Sequence, residues 1–322
     1  MPGKRRDAIR RTIGDKLRAL IAGGVEPHAQ VLRQQLLELR QDVDLTDRRL
    51  RALLETEVEA VLRTLTWVER IAILAADQRD AIPELRRSLA VLRQASEYAK
   101  LWRDREPLIS IRIATANAGD QLVERPIASI LRQTYQRFEV VVVGDRCTDN
   151  TERNLKRLND PRIRFVNLET RLPYPDDPQM RWMVGGTPSL NLAEQLATGS
   201  WVAPLDSDDE FTDDHIETLL TAALKHRYEF VYGVCERAWI DTGVRDLVGA
   251  YPPSIGNITL QAAMYPRSLS RIFRHDTKSW LMNEPHDWNL VRRMIEADVR
   301  IGFVDKVVAR LWTTRKRWRP SN

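Results

Sequence analysis

The architecture of this chain is set by residues 107–151, which read PLISIRIATANAGDQLVERPIASILRQTYQRFEVVVVGDRCTDNT. Apolar runs at 108–115 and 138–145 have the length and the β-branched content of buried strands, whereas residues 127–133 between them have a helical pattern. A strand, a helix and a second strand form the unit from which parallel sheets are built. These residues therefore predict an α/β domain that begins near Pro107.

Strand and helix patterns keep alternating after this unit. Continuous apolar runs such as Val140–Val143 are typical of strands that are covered on both faces. A helical run is predicted over 190–197, and further strands are predicted at 163–166, 201–206, 230–234 and 301–310. The chain from 107 to 312 is therefore predicted to have an α/β fold with a mostly parallel sheet.

The first 106 residues have a different composition. Between Pro27 and Pro83 there is neither proline nor glycine, and good helix formers dominate. We predict helices over 5–21, 28–41, 46–76 and 84–103, with breaks at Gly23-Gly24 and Ile82-Pro83. Heptad spacing relates Leu54, Val58, Val61, Leu65, Val68, Ala72 and Ala75. This seam packs either within a helical bundle or against a second copy, so we expect a helical domain for docking or self-association.

Composition excludes several classes of protein. The 322 residues are 43% hydrophobic and 30% charged, as in soluble globular proteins, and no run of about 18 apolar residues predicts a transmembrane helix. The N-terminus lacks the apolar core of a secretory signal. The only cysteines, Cys147 and Cys235, cannot form a disulfide framework or a four-cysteine zinc site, so we expect a reducing, cytoplasmic setting. A net charge of +5 is too small for a dedicated nucleic-acid binder.

Part of the basic excess is local to the C-terminus. The basic residues there alternate with Trp312 and Trp318 and are Arg310, Arg315, Lys316, Arg317 and Arg319. We treat residues 313–322 as a basic tail. It is either solvated or in contact with phosphates or an anionic membrane surface, which would place the protein at the inner face of the membrane.

Polar clusters follow three predicted strands, where ligands bind in open α/β sheets. They occupy residues 115–117, 144–149 and 206–209. The three carboxylates in Asp206–Asp209 repel one another unless a cation lies among them, and Mg²⁺ or Mn²⁺ suits such oxygen ligands. The alternative is a solvated acidic turn that caps a helix near Thr212. The absence of dinucleotide-binding and P-loop glycine motifs after the first strand argues against those two classes.

Several stretches along the chain resemble short sequence motifs of a known family. Residues 114–117 (ATAN) resemble the Pro-Thr-x-Asn turn, 129–135 (SILRQTY) a helix end, and 142–149 (VVGDRCTD) the motif Val-Val-Asp-Asp-Gly-Ser-x-Asp. Residues 197–209 (ATGSWVAPLDSDD) and 284–290 (EPHDWNL) resemble the strand-end acidic motif and the Glu-Asp-Trp-Asp-Leu motif. In this order, over about two thirds of the chain, the motifs resemble those of glycosyltransferase family 2, whose members have the GT-A fold.

The resemblance implies a site that holds a nucleotide sugar on a divalent metal, Mn²⁺ or Mg²⁺. It also implies that Asp287 is the general base of a single displacement with inversion. The alternative for Asp287 is a capping role for a helix over 288–297. The implied binding residues are Thr115, Asn117, Asp145 and Asp206 for the nucleotide sugar, and Asp208 and Asp209 for the metal.

Departures from the family pattern bear on metal affinity and donor preference. Gly144 replaces the first Asp of its motif, Leu190 replaces an Arg before Asn191, and His286 replaces a Glu beside the base. His286 either hydrogen-bonds an acceptor or lies on the surface. No histidine lies near 312–317, where many members supply a late metal ligand.

We therefore predict an inverting, metal-dependent glycosyltransferase with a UDP-sugar as donor. The acceptor is a polysaccharide, a lipid-linked sugar or a small metabolite. One alternative is a catalytically inactive GT-A-like protein that binds a nucleotide sugar or a partner. Another is a nucleotidyltransferase, which would need a glycine-rich basic loop where Asn117–Asp120 is short and acidic.

Overall fold

The computed structural model describes residue 15 and residues 30–35, 48–171 and 173–314, with side chains in the first long helix from residue 56 onward. Contacts divide the chain into two compact units, Met1–Asp80 and Ala81–Asn322. The helix expected over 5–21 lies, apart from residue 15, outside the described residues, as does the tail from 315 onward. The predicted domain boundary near residue 106 rests on the change of sequence pattern and stays a prediction.

Helices and strands alternate from residue 109 onward, as expected for an α/β fold. The helices are α1 (Arg48–Gln94), α2 (Ser96–Leu101), α3 (Gly119–Leu122), α4 (Ala128–Leu131), α5 (Thr151–Arg157), α6 (Pro178–Val184), α7 (Thr187–Leu196), α8 (His215–His226), α9 (Arg267–Ile272) and α10 (His286–Glu296). A π-helical turn (Val123–Ile127) joins α3 to α4, and short 3₁₀ turns cover Leu260–Ala262 and Ser279–Met282. The strands are β1 (Ile109–Thr115), β2 (Phe138–Gly144), β3 (Ile163–Asn167), β4 (Trp201–Asp206), β5 (Glu210–Phe211), β6 (Phe230–Trp239), β7 (Arg245–Val248), β8 (Ala263–Pro266) and β9 (Ile301–Thr313).

The residues of the predicted seam lie on α1, and what this seam packs against stays a prediction. Leu65 and Val68 are buried, whereas the neighbouring Leu62 and Trp67 are exposed. A short helical stretch is described at 30–35, where Arg33 pairs with Glu69 at 2.8 Å. Among the described residues, no helix is both long and apolar enough to cross a membrane.

The predicted break at Ile82-Pro83 is wrong, because α1 runs through Pro83 to Gln94. Proline inside a helix costs about 3 kcal/mol. Within the second unit, Leu89 is buried in the core and Arg93 makes a bidentate ion pair with the buried Glu229, at 2.7 and 2.8 Å. Tertiary packing of this last stretch therefore outweighs the local cost of the proline.

One mixed sheet organises the second unit, in the order β3-β2-β1-β4-β8-β6-β9-β5, with β7 beside β6. Strands β1 to β4 pair in parallel, and β6 is parallel to β9, whereas β8 is antiparallel to β4 and β6. Register places Thr115 opposite Gly144 and Ala114 opposite Asp206. The carboxyl ends of β1, β2 and β4 therefore lie side by side, as the sequence predicts.

Candidate functional site

The ends of β1 and β2 form a tight polar junction. The amide of Asp145 donates to the carbonyl of Thr115 at 2.7 Å, and the amide of Thr148 donates to Asn117 Oδ1 at 2.8 Å. Thr115 is buried, and its Oγ1 has no hydrogen-bond partner; the same holds for Asp145 Oδ1. Buried polar atoms in native proteins are rarely left without a hydrogen-bond partner. These two atoms therefore mark a place where a polar ligand fits.

A loop that follows β3 closes over Asp145. Arg171 Nε lies 3.1 Å from Asp145 Oδ2, and Arg171 Nη2 donates to the Asp145 carbonyl at 3.0 Å. Burial and the nearby Asp145 carboxylate raise the pKa of Tyr174. Burial likewise raises the pKa of Cys147, whose sulfur accepts the Asn117 amide at 3.3 Å, so this cysteine holds the loop as a neutral thiol.

The acidic turn after β4 is partly held by neutral donors. Gln261 Nε2 donates to Asp206 Oδ2 at 2.6 Å and to Asp209 Oδ2 at 2.8 Å, and the Trp312 amide donates to Asp209 Oδ1 at 2.9 Å. Burial and the neighbouring carboxylates of Asp208 and Asp206 raise the pKa of Asp209 well above its usual range. The three carboxylates are thus close enough to repel one another, which a bound cation would relieve.

The π-helical turn brings a guanidinium to the same turn. Arg125 Nη1 donates to the carbonyl of Asp208 at 2.9 Å, and the Arg125 guanidinium carbon lies 4.6 Å from the centre of the Trp312 ring. Sequence reasoning missed Arg125 and Gln261, since an arginine on a helix and a glutamine before a short strand carry no motif. Both come from elements more than 50 residues from the acidic turn.

The donor set fits a metal that a substrate helps to bind. Among the side chains described within residues 56–171 and 173–314, no group of three or more His, Cys, Asp or Glu is placed to hold a metal ion. Asp206 ends β4 and Asp208 lies in the turn after it; both are half-buried, and β1 separates β4 from the strand that Asp145 follows. Mg²⁺ and Mn²⁺ are commonly held by one or two carboxylates together with substrate phosphates. The acidic turn therefore fits such an ion only in partnership with a phosphate ligand.

Asp287 lies in the first turn of α10. The helix begins at His286 after Pro285, so the alternative that Asp287 caps a helix starting at residue 288 is wrong. The Trp288 amide donates to Asp287 Oδ1 at 2.7 Å. Burial raises the pKa of Asp287, and the charge of Arg112 partly offsets this effect. A half-buried carboxylate of raised pKa is suited to accept a proton.

Arg112 connects the two acidic regions. It lies within β1, is 1% exposed and interacts electrostatically with both Asp206 and Asp287. Its guanidinium also contacts Glu194 Oε1 and His275 Nε2, each at 3.3 Å. Arg112 therefore links β1, which pairs with the strand that ends at the acidic turn, to His275 and through it to His286 beside Asp287, a connection that the sequence analysis missed.

Comparison with known proteins agrees with this geometry. The sequence model described as Glycosyl transferase family 2 matches residues 110–174 and 180–299, more than half of the chain. The chain is 30% identical over 126 residues to UDP-Glc:alpha-D-GlcNAc-diphosphoundecaprenol beta-1,3-glucosyltransferase WfgD of Escherichia coli, a match that covers 39% of this chain and 45% of WfgD. It is 33% identical over 118 residues to an Escherichia coli chondroitin synthase, covering 36% of this chain and 15% of that protein. The matches thus span less than half of these relatives.

A solved structure shares the fold. The crystal structure of S. aureus TarS 1-349 in complex with UDP superposes with a TM-score of 0.51 at 19% identity, and the match covers 65% of this chain and 62% of TarS 1-349. The similarity supports the GT-A-like α/β architecture that the motifs predict.

Proposed function

This chain belongs to glycosyl transferase family 2, and on that premise we propose that it transfers a sugar from a UDP-sugar to an acceptor hydroxyl with inversion at the anomeric carbon. The observation that carries the proposal is that the polar ends of β1, β2 and β4 lie side by side, while Arg112 of β1 contacts His275, whose ring lies against His286, the residue before the half-buried Asp287. A single displacement requires a donor site and a proton acceptor that act on the same acceptor hydroxyl. WfgD is named for a UDP-Glc donor and TarS was solved with UDP, which favours uridine among the nucleotides.

Four residues are proposed to bind the nucleotide sugar. The buried hydroxyl of Thr115 and the carboxylate of Asp145 have an oxygen without a partner, and we assign them to the base and ribose together with Asn117. Asp206, held by Gln261, is assigned to the ribose or the metal shell. The Arg171 ion pair with Asp145 would keep this carboxylate oriented before the donor binds.

Asp208 is the proposed metal ligand, with Asp209 as a second candidate. Both oxygens of Asp209 already accept hydrogen bonds, so we assign Asp209 first to orienting the turn and Asp208 to direct ligation. A divalent ion, when bound, supplies positive charge that stabilises the departing diphosphate. Arg125 adds a guanidinium beside the same turn, in the region where the sequence lacks a late histidine.

Asp287 is the proposed general base. Its carboxylate takes the proton from the acceptor hydroxyl while that oxygen forms a bond to the anomeric carbon. The bond from this carbon to the diphosphate oxygen breaks on the opposite face, which inverts the configuration. The raised pKa of Asp287 brings its basicity closer to that of a base working near neutral pH.

The acceptor is proposed to be a carbohydrate or lipid-linked hydroxyl, since WfgD is named for a diphosphoundecaprenol-linked GlcNAc acceptor. The helices before residue 107 are proposed to serve docking or self-association. The basic tail from 313 is proposed to touch an anionic membrane surface at its cytoplasmic face. The last two assignments concern parts of the chain that the matched stretches do not cover.

A donor screen tests the proposal directly. UDP release from UDP-glucose, UDP-GlcNAc, UDP-galactose and UDP-glucuronate is measured with Mn²⁺ and with EDTA, and the anomeric configuration of the product is read by proton NMR. We expect release from at least one donor, dependence on Mn²⁺ and an inverted product. Retention of configuration, or equal rates in EDTA, would refute the corresponding part of the mechanism. Asp305→Asn, a change at an exposed position on β9, serves as the unaffected control.

A further inference from the structure

A buried polar network lies behind the first turn of α10. We call it the Arg112 network, and its members come from β1, α7, β8, α10 and the loop after α9: Arg112, Asn191, Glu194, Tyr265, His275 and His286. Arg112, Glu194, Tyr265 and His275 are all buried, whereas His286 is half-buried. Because removing charges from water is costly, each of these buried groups needs well-placed partners.

The donors in this network set the state of His275. Arginine has five N–H groups and no acceptor, so Arg112 Nη2 can only donate across its 3.3 Å contact with His275 Nε2. His275 Nε2 must therefore accept, and a neutral imidazole that accepts at Nε2 carries its proton on Nδ1. Burial lowers the pKa of His275, which favours the neutral ring.

Glu194 is the competing partner for the same nitrogen. Its Oε1 also lies 3.3 Å from His275 Nε2. That oxygen already accepts the Tyr265 hydroxyl at 2.6 Å and Arg112 Nε at 3.3 Å. Since a carboxylate oxygen has two lone pairs, these donors fill it, and the proton is better placed on Nδ1 of His275.

The tautomer of His275 determines the tautomer of His286. The two Nδ1 atoms lie 3.0 Å apart, so His275 Nδ1–H donates and His286 Nδ1 accepts. A neutral His286 then carries its proton on Nε2, and burial lowers the pKa of His286 well below its usual value. Asn191 fixes this geometry, because it exchanges two hydrogen bonds of 2.9 Å with the backbone of His275.

We propose that the Arg112 network locks His286 in the Nε2–H form, so that it presents a fixed hydrogen-bond donor to the hydroxyl that attacks the sugar beside Asp287. A hydroxyl oxygen can accept from His286 while its proton goes to Asp287. His275 is then a positioning residue that acts through His286. The substrate part of this inference rests on the proposed function, whereas the tautomer lock does not.

The lock is tested by ¹⁵N NMR of the full chain labelled on histidine, at neutral pH, with resonances assigned through His275→Gln and His286→Gln. We expect His275 in the Nδ1–H form, which is the less common tautomer of a neutral histidine, and His286 in the Nε2–H form. Nε2–H on His275, or a protonated ring on either residue, would overturn the lock. This outcome does not depend on any activity, so it separates the lock from the proposed function.

The role of His286 is tested by UDP release with water as the attacking hydroxyl, using the donor that the screen selects. His286→Leu removes the donor, and we expect kcat to fall about tenfold with KM for the UDP-sugar unchanged, the size of one hydrogen bond. His286→Gln keeps an N–H group and is expected to restore kcat to within about threefold. His226→Leu, at an exposed histidine, is the matched control. Equal rates for His286→Leu and the unchanged chain would refute the role of His286.

Discussion

The acidic turn after β4 and the Arg112 network both gather charged side chains, but they are balanced in different ways. In the turn, carboxylates stand close together, and the Gln261 amide and the Trp312 backbone donate hydrogen bonds to Asp206 and Asp209. In the network, the buried Glu194 meets the buried Arg112. The turn is thus suited to a positive ligand that arrives with the substrate, whereas the network is complete within the chain.

Among the predicted changes, removal of the proposed base Asp287 is expected to have the largest effect, and this effect is on kcat. Asp287→Asn keeps the shape of the side chain but cannot accept the proton, so kcat should fall ~10²–10⁴-fold. Donor affinity, measured by calorimetry with UDP, should stay unchanged because the donor residues lie on the strand ends. A fall in kcat below tenfold would show that another group takes the proton. Asp305→Asn, a carboxylate change at an exposed position, should leave both quantities unchanged.

Because the charges of Arg112 and Glu194 balance each other inside the protein, removal of one of them is expected to cause a large loss of stability. Arg112→Met leaves Glu194 buried without its cation and should cost about 3–5 kcal/mol in the free energy of unfolding. The paired variant R112M/E194M removes both charges and should recover most of this loss. Urea denaturation measures both. Equal losses in the single and paired variants would contradict the charge balance.

A matched control exists on the surface. Arg132 pairs with Asp213 at 3.3 Å, with both side chains more than half exposed. Arg132→Met should therefore change the free energy of unfolding by less than about 1 kcal/mol.

A substitution in the acidic turn is expected to change metal-dependent activity and binding rather than the free energy of unfolding. Asp208→Asn should lower kcat/KM in Mn²⁺ by about a hundredfold, since charge stabilisation by a metal is worth several kcal/mol, and UDP should no longer bind more tightly when Mn²⁺ is added. Titration calorimetry with UDP, with and without Mn²⁺, measures the second effect. Asp213→Asn, at an exposed position four residues beyond Asp209, is the control. Mn²⁺-dependent binding that persists in Asp208→Asn would move the ligand role to Asp209.

The strand ends and the acidic turn were predicted from the sequence, whereas the Arg112 network was not. Strands β1, β2 and β4 lie within one residue of their predicted bounds because apolar residues dominate each of them. A parallel register then brings their polar ends together, so the acidic turn is placed by topology alone.

The network has no such local pattern. Arg112 sits inside an apolar run, where it reads as one exception in a strand, and its partner His275 lies 163 residues away. The short strand β8, which carries Tyr265, was not predicted because four residues give too little pattern. Buried ion pairs depend on tertiary contacts between distant elements, and a single sequence does not reveal which residues meet.

The pH dependence of the reaction gives the smallest expected effect and distinguishes the two regions by their titration. Burial raises the pKa of Asp287, so its carboxylate gains a proton as pH falls through a value above that of an ordinary aspartate, and activity is lost on this acid side. We expect kcat/KM to fall about tenfold per pH unit below that pKa and to level off above it. The charge of Arg112 lowers the pKa of Asp287. In the R112M/E194M variant this charge is absent, so the loss of activity on the acid side should begin at a higher pH. The residual activity of Asp287→Asn should not show this loss. If kcat/KM of Asp287→Asn still falls at acid pH, the titrating group is another carboxylate, and the carboxylates of the acidic turn are the next candidates.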